Sequence, residues 1–413
     1  MSDPGKEQRM RRRFVLVICV IAMILLTSCS SAEQEGKSDL NGDAEKDMEF
    51  SEKADSIDSI LAESEQLARE YQEIYEKAKE RDALDGLDTI RSIMAILGES
   101  GYPVVDTENQ INMIHPEMIR EFNDAVEAKR DGAVSLFLVT KDGGFVRYEL
   151  MTEGGMVRVE CSSLGWEKGE PCAEMLDSYE AHTWRMDKES GYLYIEKEQP
   201  AGYDGAIGFI AVRVEPLDEE LRELNRKYIL PAGYRHTNLF LTDWDESDPG
   251  GVDFYDLFEV FYSSVYGKDM PYESDFQKRT YEVPAEEFET VIQTFFDIDT
   301  DTLRDLAAYD GSASVYEYTT RCLEDWGHPG FVTPEVRGCE ELGGGMLRLQ
   351  VSSVSQQDIA EETFSHEVVI RLLPDGGYQY VSNRILTSDP EPRFDWYSER
   401  LTVEEWEAEY GGS

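Results

Sequence analysis

The stretch AVSLFLVTKDGGFVRYELMTEGGMVRVECSSL, residues 133–164, decides the fold of the chain. It holds three runs in which apolar and polar residues alternate, separated by the glycine-containing segments KDGG and EGG. Alternation with a period of two is typical of strands, and short glycine turns join antiparallel neighbours. The stretch therefore predicts an antiparallel meander, which the runs GYLYIEKE and IGFIAVRVEPL extend.

Amphipathic segments before the meander predict helices. Apolar residues from Ile57 to Ala78 recur at helical spacing, and a second helix follows the Asp85-Gly86 break. A further helix begins at Pro116 and is expected to cover one face of the sheet. The apolar stripe of residues 57–82 has two interpretations, packing on its own domain or dimerising as a coiled coil. Three heptads are short for a coiled coil, which favours packing.

The second half of the chain repeats the order of helix and meander. Pro284 opens a helical segment, and the alternating runs FSHEVVIRLL and YQYVSNRIL follow, joined by a Pro-Asp-Gly-Gly turn. Between the halves, residues 254–267 are apolar around nearly the whole helical wheel, which predicts a buried helix. The predicted fold class is α+β, with an N-terminal helical segment followed by two helix-plus-antiparallel-sheet units.

A chain of 413 residues exceeds one typical core, so two globular domains are expected. The polar, acidic residues after the N-terminus have the composition of a flexible tether. The predicted regions are a signal peptide (1–28), an acidic disordered tether (29–56), a helical segment (57–98), a first α+β domain (99–235), an aromatic-rich buried connector (236–280) and a second α+β domain (281–413).

The N-terminus has the order of a secretory signal. A basic segment, residues 1–13, precedes thirteen apolar residues, 14–26. As a helix these thirteen rise only about 20 Å, which is short for a permanent membrane span. The run RRRF at 11–14 also approaches a twin-arginine signal, but the very apolar segment after it favours general secretion.

The residues LTSC, 26–29, resemble the bacterial lipoprotein box. The resemblance implies that Cys29 receives a diacylglycerol and becomes the mature N-terminus. Two acyl chains anchor a protein stably, whereas one holds it only marginally. We therefore expect a lipid-anchored protein on the extracellular face of the cell membrane.

The formal net charge of −47 limits the partners of this protein. Phosphates of nucleic acid and an anionic lipid surface would both repel it. No nucleic acid partner is expected, and the lipid on Cys29 must supply the contact with the membrane. With 22 Tyr, 17 Phe and 6 Trp, the chain is too rich in aromatic residues for general disorder.

Four cysteines remain beyond the signal and the lipobox, as the close pairs Cys161 with Cys172 and Cys322 with Cys339. In an oxidising compartment each pair is a possible short-loop disulfide. The alternative is four reduced, buried thiols, and four cysteines allow three connectivities. Neither pair has the short spacing of a zinc knuckle, so no metal is expected there.

A search for catalytic and metal motifs assigns no residue. His366-Glu367 begins the H-E-x-x-H zinc motif, but Ile370 stands where the second histidine belongs, and the alternation around His366 favours a core histidine in a strand. The acids 297–301 are spaced like the start of a calcium loop but lack its glycine and its final glutamate. No cofactor is expected. Aromatic-rich segments such as residues 233–244 leave a saccharide or peptide groove as an alternative to core packing.

Longer segments carry a further resemblance. LRELNRKYILPAGYR (221–235), FLTDW, VDFYDLF, VPAEEFETVI and QYVSNRIL resemble an uncharacterised lipoprotein family of Gram-positive Clostridia, a domain of unknown function. The resemblance spans about residues 99–410 and brings no catalytic residue with it. It implies a position on the outer face of a single-membrane cell.

The function predicted from these observations is a non-enzymatic, lipid-anchored ectodomain that binds an unknown envelope component or protein. The alternative is a cell-wall-acting hydrolase that uses carboxylates or a divalent ion, since 84 acidic residues follow the signal peptide and some must lie close together. A third hypothesis is a sensor that dimerises through residues 57–82.

Overall fold

The described part of the chain begins in a long helix, α1, Gly42–Glu80. The structure is a computed structural model and describes residues 42–199, 208–272, 280–319, 321, 332–355, 364–386, 397, 400, 401, 405 and 408. Contacts divide the chain after Ser59 into two units, and all described strands lie in the second, Ile60–Ser413. None of the described helices combines the length and the apolar character needed to cross a membrane.

The predicted disordered tether, residues 29–56, needs a partial correction. Residues 42–56 belong to α1 in the structure, and residues 29–41 lie outside the described part. Eight of the fifteen residues 42–56 are Ala, Glu, Lys or Met, which are strong helix formers. Low hydrophobicity predicted flexibility, whereas the intrinsic propensity of these residues favours helix.

The predicted meander forms the first sheet, which has seven strands in chain order. All neighbours are antiparallel except β1 and β2, which are parallel. The strands are β1 (Val104–Asp106), β2 (Gly132–Val139), β3 (Phe145–Glu153), β4 (Met156–Glu167), β5 (Glu170–Met186), β6 (Tyr192–Lys197) and β7 (Phe209–Arg213).

Helices cover both faces of this sheet, where the sequence predicted one. On one face, Leu136 and Leu138 share a buried cluster with Phe122 of α3, Pro116–Glu127. On the other face, the alternate residues of β2 cluster with α1 and with α2, Leu87–Glu99; the members include Phe137, Val139, Tyr71 and Leu97. Burial on both faces explains why β2 is a nearly continuous apolar run.

The apolar stripe of α1 is buried within the second unit. Leu67, Ala68, Tyr71 and Tyr75 are each at most 6% exposed. They share a core with Phe145 and Leu164 of the first sheet, so this part of the stripe packs on its own domain.

The aromatic helix α5, Phe254–Tyr266, is buried over one face, whereas the sequence predicts burial all round; Ser263, Ser264 and Tyr266 are exposed near its end. Asp253 caps its start by accepting hydrogen bonds from two backbone N–H groups, and Gly267, with φ of 62°, ends it. The helix belongs to the largest buried cluster, together with α6, Ala285–Phe295, and the strands of the second half.

The second half contains two sheets. One has three strands, β9 (Thr280–Pro284), β10 (Tyr309–Asp310) and β11 (Val315–Thr319), and the helix α7 (Thr300–Leu306) lies between them in sequence. The other has five, β8 (Trp244–Asp245), β12 (Val332–Gly343), β13 (Met346–Ser355), β14 (Ser365–Leu372) and β15 (Tyr378–Ile385). Strand β8 comes from the predicted connector and pairs with β15. The predicted α+β class is confirmed, with mostly antiparallel sheets.

Candidate binding site

A π-helical turn marks the candidate site. The sequence LDEELRELNRKYIL, residues 217–230, has the pattern of a single helix, and the structure divides it into α4, Glu219–Leu224, and a π-helix, Asn225–Ile229. The side chain of Asp218 caps α4 by accepting from the Glu220 N–H. π-Helical turns are rare and occur frequently at functional sites, which directs attention to Asn225.

Asn225 lines a small cavity between the first sheet and strand β12. The free space in the cavity is about 10 Å³, the room of one water molecule. The walls come from the loop after β1, from β6, from α4 with the π-helix, and from β12; the lining residues are Glu108, Asn109, Gln110, Tyr192, Leu217, Leu221, Arg222, Asn225, Thr333, Pro334, Glu335 and Val336.

The side chain of Asn225 is only half satisfied. Its Nδ2 donates to the Pro334 carbonyl oxygen at 3.0 Å. Its Oδ1 is buried and has no hydrogen-bond partner among the described residues, although Asn225 is only 6% exposed. A buried acceptor without a donor costs about 1–3 kcal/mol, so this oxygen is suited to a bound molecule that donates a hydrogen bond.

Arginine side chains surround a buried carboxylate in the same wall. Tyr192 donates to Oε1 of Glu335 at 2.7 Å, and Nε of Arg213 lies 3.1 Å from the same oxygen. Nη2 of Arg337 lies 2.8 Å from Oε2 of Glu335. Both arginine contacts are ion pairs, and neither Arg213 Nε nor Glu335 Oε2 makes a hydrogen bond among the described residues. Burial lowers the pKa of Arg213.

Arg222 holds the loop after β1 in place. Its Nη1 donates to the Asn109 carbonyl oxygen at 2.7 Å, and its Nε and Nη2 donate to Oδ1 of Asn112 at 3.0 and 2.9 Å. The Asn109 side chain in turn bonds backbone groups of β7, accepting from Arg213 N–H and donating to the Ala211 carbonyl oxygen. Burial lowers the pKa of Arg222. These bonds make the cavity a preformed feature of the fold.

Comparison with known proteins gives one match. The sequence profile of a family of unknown function (DUF6070) matches residues 57–400. The chain belongs to this family. A search of curated proteins and a search of solved structures each gave no match.

A second concentration of charge lies at the start of α5. Arg321 makes two bonds to Asp256, at 2.7 and 3.1 Å, and Asp256 also accepts from Tyr397 at 2.7 Å. Arg400 bonds Asp256 and lies 3.1 Å from Glu259. Three carboxylates therefore converge here, Asp253, Asp256 and Glu259, which is the kind of arrangement that a carboxylate hydrolase uses.

The surroundings of these carboxylates are those of a structural network. Burial raises the pKa of Asp253 and of Glu259. Asp256 is fully buried and is held by both arginines, so it does not face a substrate cleft. Within the part of the chain that the structure describes, no three His, Cys, Asp or Glu side chains come together as a metal site. The network joins Arg321 and Arg400 to α5.

The structure places three of the predicted cysteine residues. Cys161 is buried on β4 and Cys172 is exposed on β5, both as free thiols. In the register, Cys172 pairs with Gly165, four residues along the strand from Cys161, or about 13 Å. That separation is too long for a disulfide, so the predicted local pair is not formed in this fold.

The other predicted site residues fall at or beyond the limits of the described chain. Cys339 is exposed on β12, and its predicted partner Cys322 lies outside the described residues. That pairing stays a prediction. Cys29, the predicted lipidation site, also lies outside the described residues.

Sequence reasoning missed the residues of the cavity. Arg222, Asn225 and Ile229 lie three and four residues apart, so the two polar residues share a helical face with a buried apolar one. A polar residue on the same helical face as a core residue is a pattern that the sequence does show. The opposite wall of the cavity, around Glu335, shows no comparable pattern.

Proposed function

We propose that the protein is a lipid-anchored binding protein on the extracellular face of the cell membrane, and that the Asn225 cavity is its binding site. The anchor is Cys29, as the lipobox implies, and the ligand is a component of the cell envelope. The resemblance to lipoproteins of Clostridia supports the same placement. Anchoring through lipid agrees with the charge of −47, because the folded surface would not adhere to anionic lipid.

The observation that carries the binding proposal is the unpaired Oδ1 of Asn225. Folded proteins pair the great majority of buried polar atoms, and exceptions mark strain, function or a bound molecule. Here the exception borders a cavity, and Arg222 beside it is fixed by three hydrogen bonds. A preformed cavity with one unpaired acceptor is suited to reversible binding.

The experiment measures binding to the envelope without the anchor. A protein that lacks residues 1–28 and carries Cys29→Ser is mixed with washed envelope of the producing bacterium, and the bound fraction is measured by co-sedimentation over a range of protein concentrations. We expect saturable binding that Asn225→Leu, added to Cys29→Ser, weakens by about tenfold, the value of one lost hydrogen bond.

Asn238→Leu is the matched control. Asn238 donates to the Gly251 carbonyl oxygen as Asn225 does to Pro334, but its Oδ1 is paired, since it accepts from Asp253 N–H. Envelope binding should be unchanged in this variant. Binding that is non-saturable, or equal with and without Asn225→Leu, would show that the cavity is not the binding site.

A further inference from the structure

We propose that the Asn225 cavity takes a neutral hydroxyl group, and that the ligand is an uncharged saccharide or polyol. This inference rests on the proposed function, because it names the ligand class of the same cavity. It is reached from the size of the cavity, from its charges and from its unpaired atoms.

The size of the cavity limits the group that enters it. A free space of about 10 Å³ holds a single small atom group such as a water, a hydroxyl or an ammonium. A carboxylate or phosphate, with several oxygens, needs more room. The rest of the ligand must lie over the mouth of the cavity.

The charges around the cavity disfavour an ammonium group. The lining holds one cation, Arg222, and two carboxylates, Glu108 and Glu335. Glu108 is paired with Lys141 at 3.1 Å, and Glu335 is paired with Arg213 and Arg337 at 3.1 and 2.8 Å. Arg222 donates its hydrogen bonds to neutral carbonyl oxygens, so among the described residues its charge is not balanced by a carboxylate at ion-pair distance. A second cation would be repelled, and more strongly in this buried setting than in water.

The acceptors in the wall disfavour an anion as well. Oδ1 of Asn225 has no hydrogen-bond donor among the described residues, and the carboxylate of Glu335 is already negative, so an anionic oxygen placed against them would add repulsion without a hydrogen bond. A hydroxyl group adds neither positive nor negative charge to the cavity, and it both donates one hydrogen bond and accepts others. Its proton can bond Asn225 Oδ1.

Arg222 supplies the matching donor. A guanidinium has five N–H donors, and Arg222 uses three of them among the described residues. A remaining N–H can donate to the hydroxyl oxygen of the ligand. The half-buried side chains of Leu217 and Leu221 line the same cavity and offer apolar contact for the C–H groups of a sugar ring.

The test uses the full-length protein in a sugar-free detergent and saturation-transfer NMR. The probes are cellobiose and N,N′-diacetylchitobiose as neutral hydroxyl compounds, methylammonium chloride as the cation and sodium acetate as the anion. We expect a saturable signal from at least one disaccharide and none from the charged probes. Asn225→Leu should weaken disaccharide binding by about tenfold, and Asn238→Leu should leave it unchanged.

Three results would overturn the inference: no saturable signal from either disaccharide, binding of methylammonium or acetate that Asn225→Leu removes, or disaccharide binding that Asn225→Leu leaves intact. Thermal melting of each variant shows whether it is folded. If Asn225→Leu does not fold, Tyr192→Phe replaces it, because the change removes the hydroxyl that orients Glu335 and should also weaken binding. If envelope binding depends on Asn225 but neither disaccharide gives a signal, the saccharide class alone is refuted. If envelope binding does not depend on Asn225 and neither disaccharide gives a signal, the cavity is not the binding site.

Discussion

The Tyr234 hydroxyl lies 2.9 Å from Nε2 of His366 in the core of the second half. On the other side of the ring, Nδ1 lies 2.7 Å from Oδ1 of Asn383, whose Nδ2 donates to the Thr242 carbonyl oxygen. Asn383 Oδ1 is thus an acceptor, which places the proton on Nδ1 and leaves Nε2 to accept from Tyr234. His366 is the satisfied core histidine that its strand pattern predicts.

The burial of His366 predicts that stability falls in mild acid. Burial lowers the pKa of His366 from its ordinary 6.5 to about 4. Between these values the unfolded chain binds the proton and the folded chain does not, so the free energy of unfolding decreases as the pH falls. The expected contribution is a loss of about 3 kcal/mol from pH 6.5 to 4.

Urea unfolding at about pH 7 and about pH 4.5 measures this term. The comparison is between the wild type and His366→Gln, with the exposed His182→Gln as control. His366→Gln should have a smaller pH dependence than the wild type, and His182→Gln should match the wild type. Equal pH dependence in all three proteins would mean that His366 titrates normally.

Gly144 predicts a strong steric effect at the first hairpin turn. A Cβ atom at this position would lie 2.2 Å from the Leu164 carbonyl oxygen. The neighbouring Gly143 carbonyl oxygen accepts from Trp166 Nε1 at 2.9 Å, so the turn has little freedom to move away. Gly144→Ala should lower the free energy of unfolding by about 3 kcal/mol.

Gly165→Ala is the matched control for this measurement. Gly165 lies in β4, and a Cβ atom there meets no heavy atom within 4 Å. Its free energy of unfolding in urea should be unchanged or slightly raised, since glycine weakens a strand. If Gly144→Ala and Gly165→Ala changed the free energy of unfolding equally, the packing of the turn on β4 would be contradicted.

The charge network at α5 predicts that Arg400 is structural. Arg400→Gln leaves Arg321 as the one described guanidinium bonded to Asp256 and should lower the free energy of unfolding by about 3–5 kcal/mol. Arg348→Gln, which breaks an exposed pair with Glu340, should cost about 1 kcal/mol or less. Urea unfolding of both variants gives the comparison.

The pH dependence of Arg400→Gln separates a structural role from general destabilisation. Burial raises the pKa of Asp253 and of Glu259, so the folded state takes up protons more readily than the unfolded state. In Arg400→Gln, the carboxylates of Asp253 and Glu259 have lost a cationic partner, and protonation removes their negative charge. The loss of unfolding free energy relative to the wild type should therefore be smaller at about pH 5 than at about pH 7. A deficit that is the same at both pH values would contradict this assignment.

Local signals in the sequence were sufficient for the first sheet and for α5. The alternation in residues 133–164 and the turns KDGG and EGG lie within a few residues of one another, and each specifies antiparallel pairing of neighbours. Likewise, the aromatic residues of 254–266 indicate a helix in the core without reference to any partner, and Phe254, Phe258 and Phe261 are buried there, although Tyr266 is exposed.

The cavity was beyond such reasoning because its walls come from distant parts of the chain. Asn225 meets Pro334 through a single bond between a helix of the first half and a strand of the second, and no local pattern encodes that meeting. The second covered face of the first sheet was missed for the same reason. The burial of Phe137 on that face is evident only once α1 and α2 are placed against it.

The most direct test of the account is the chemical state of Cys29, because anchoring at the envelope depends on it. The protein is purified from membranes, digested, and its N-terminal peptide is analysed by mass spectrometry. We predict a peptide that begins at Cys29 and carries a diacylglyceryl group, with residues 1–28 absent. Peptides from residues 14–28 in the mature protein, together with an unmodified Cys29 thiol, would contradict the account.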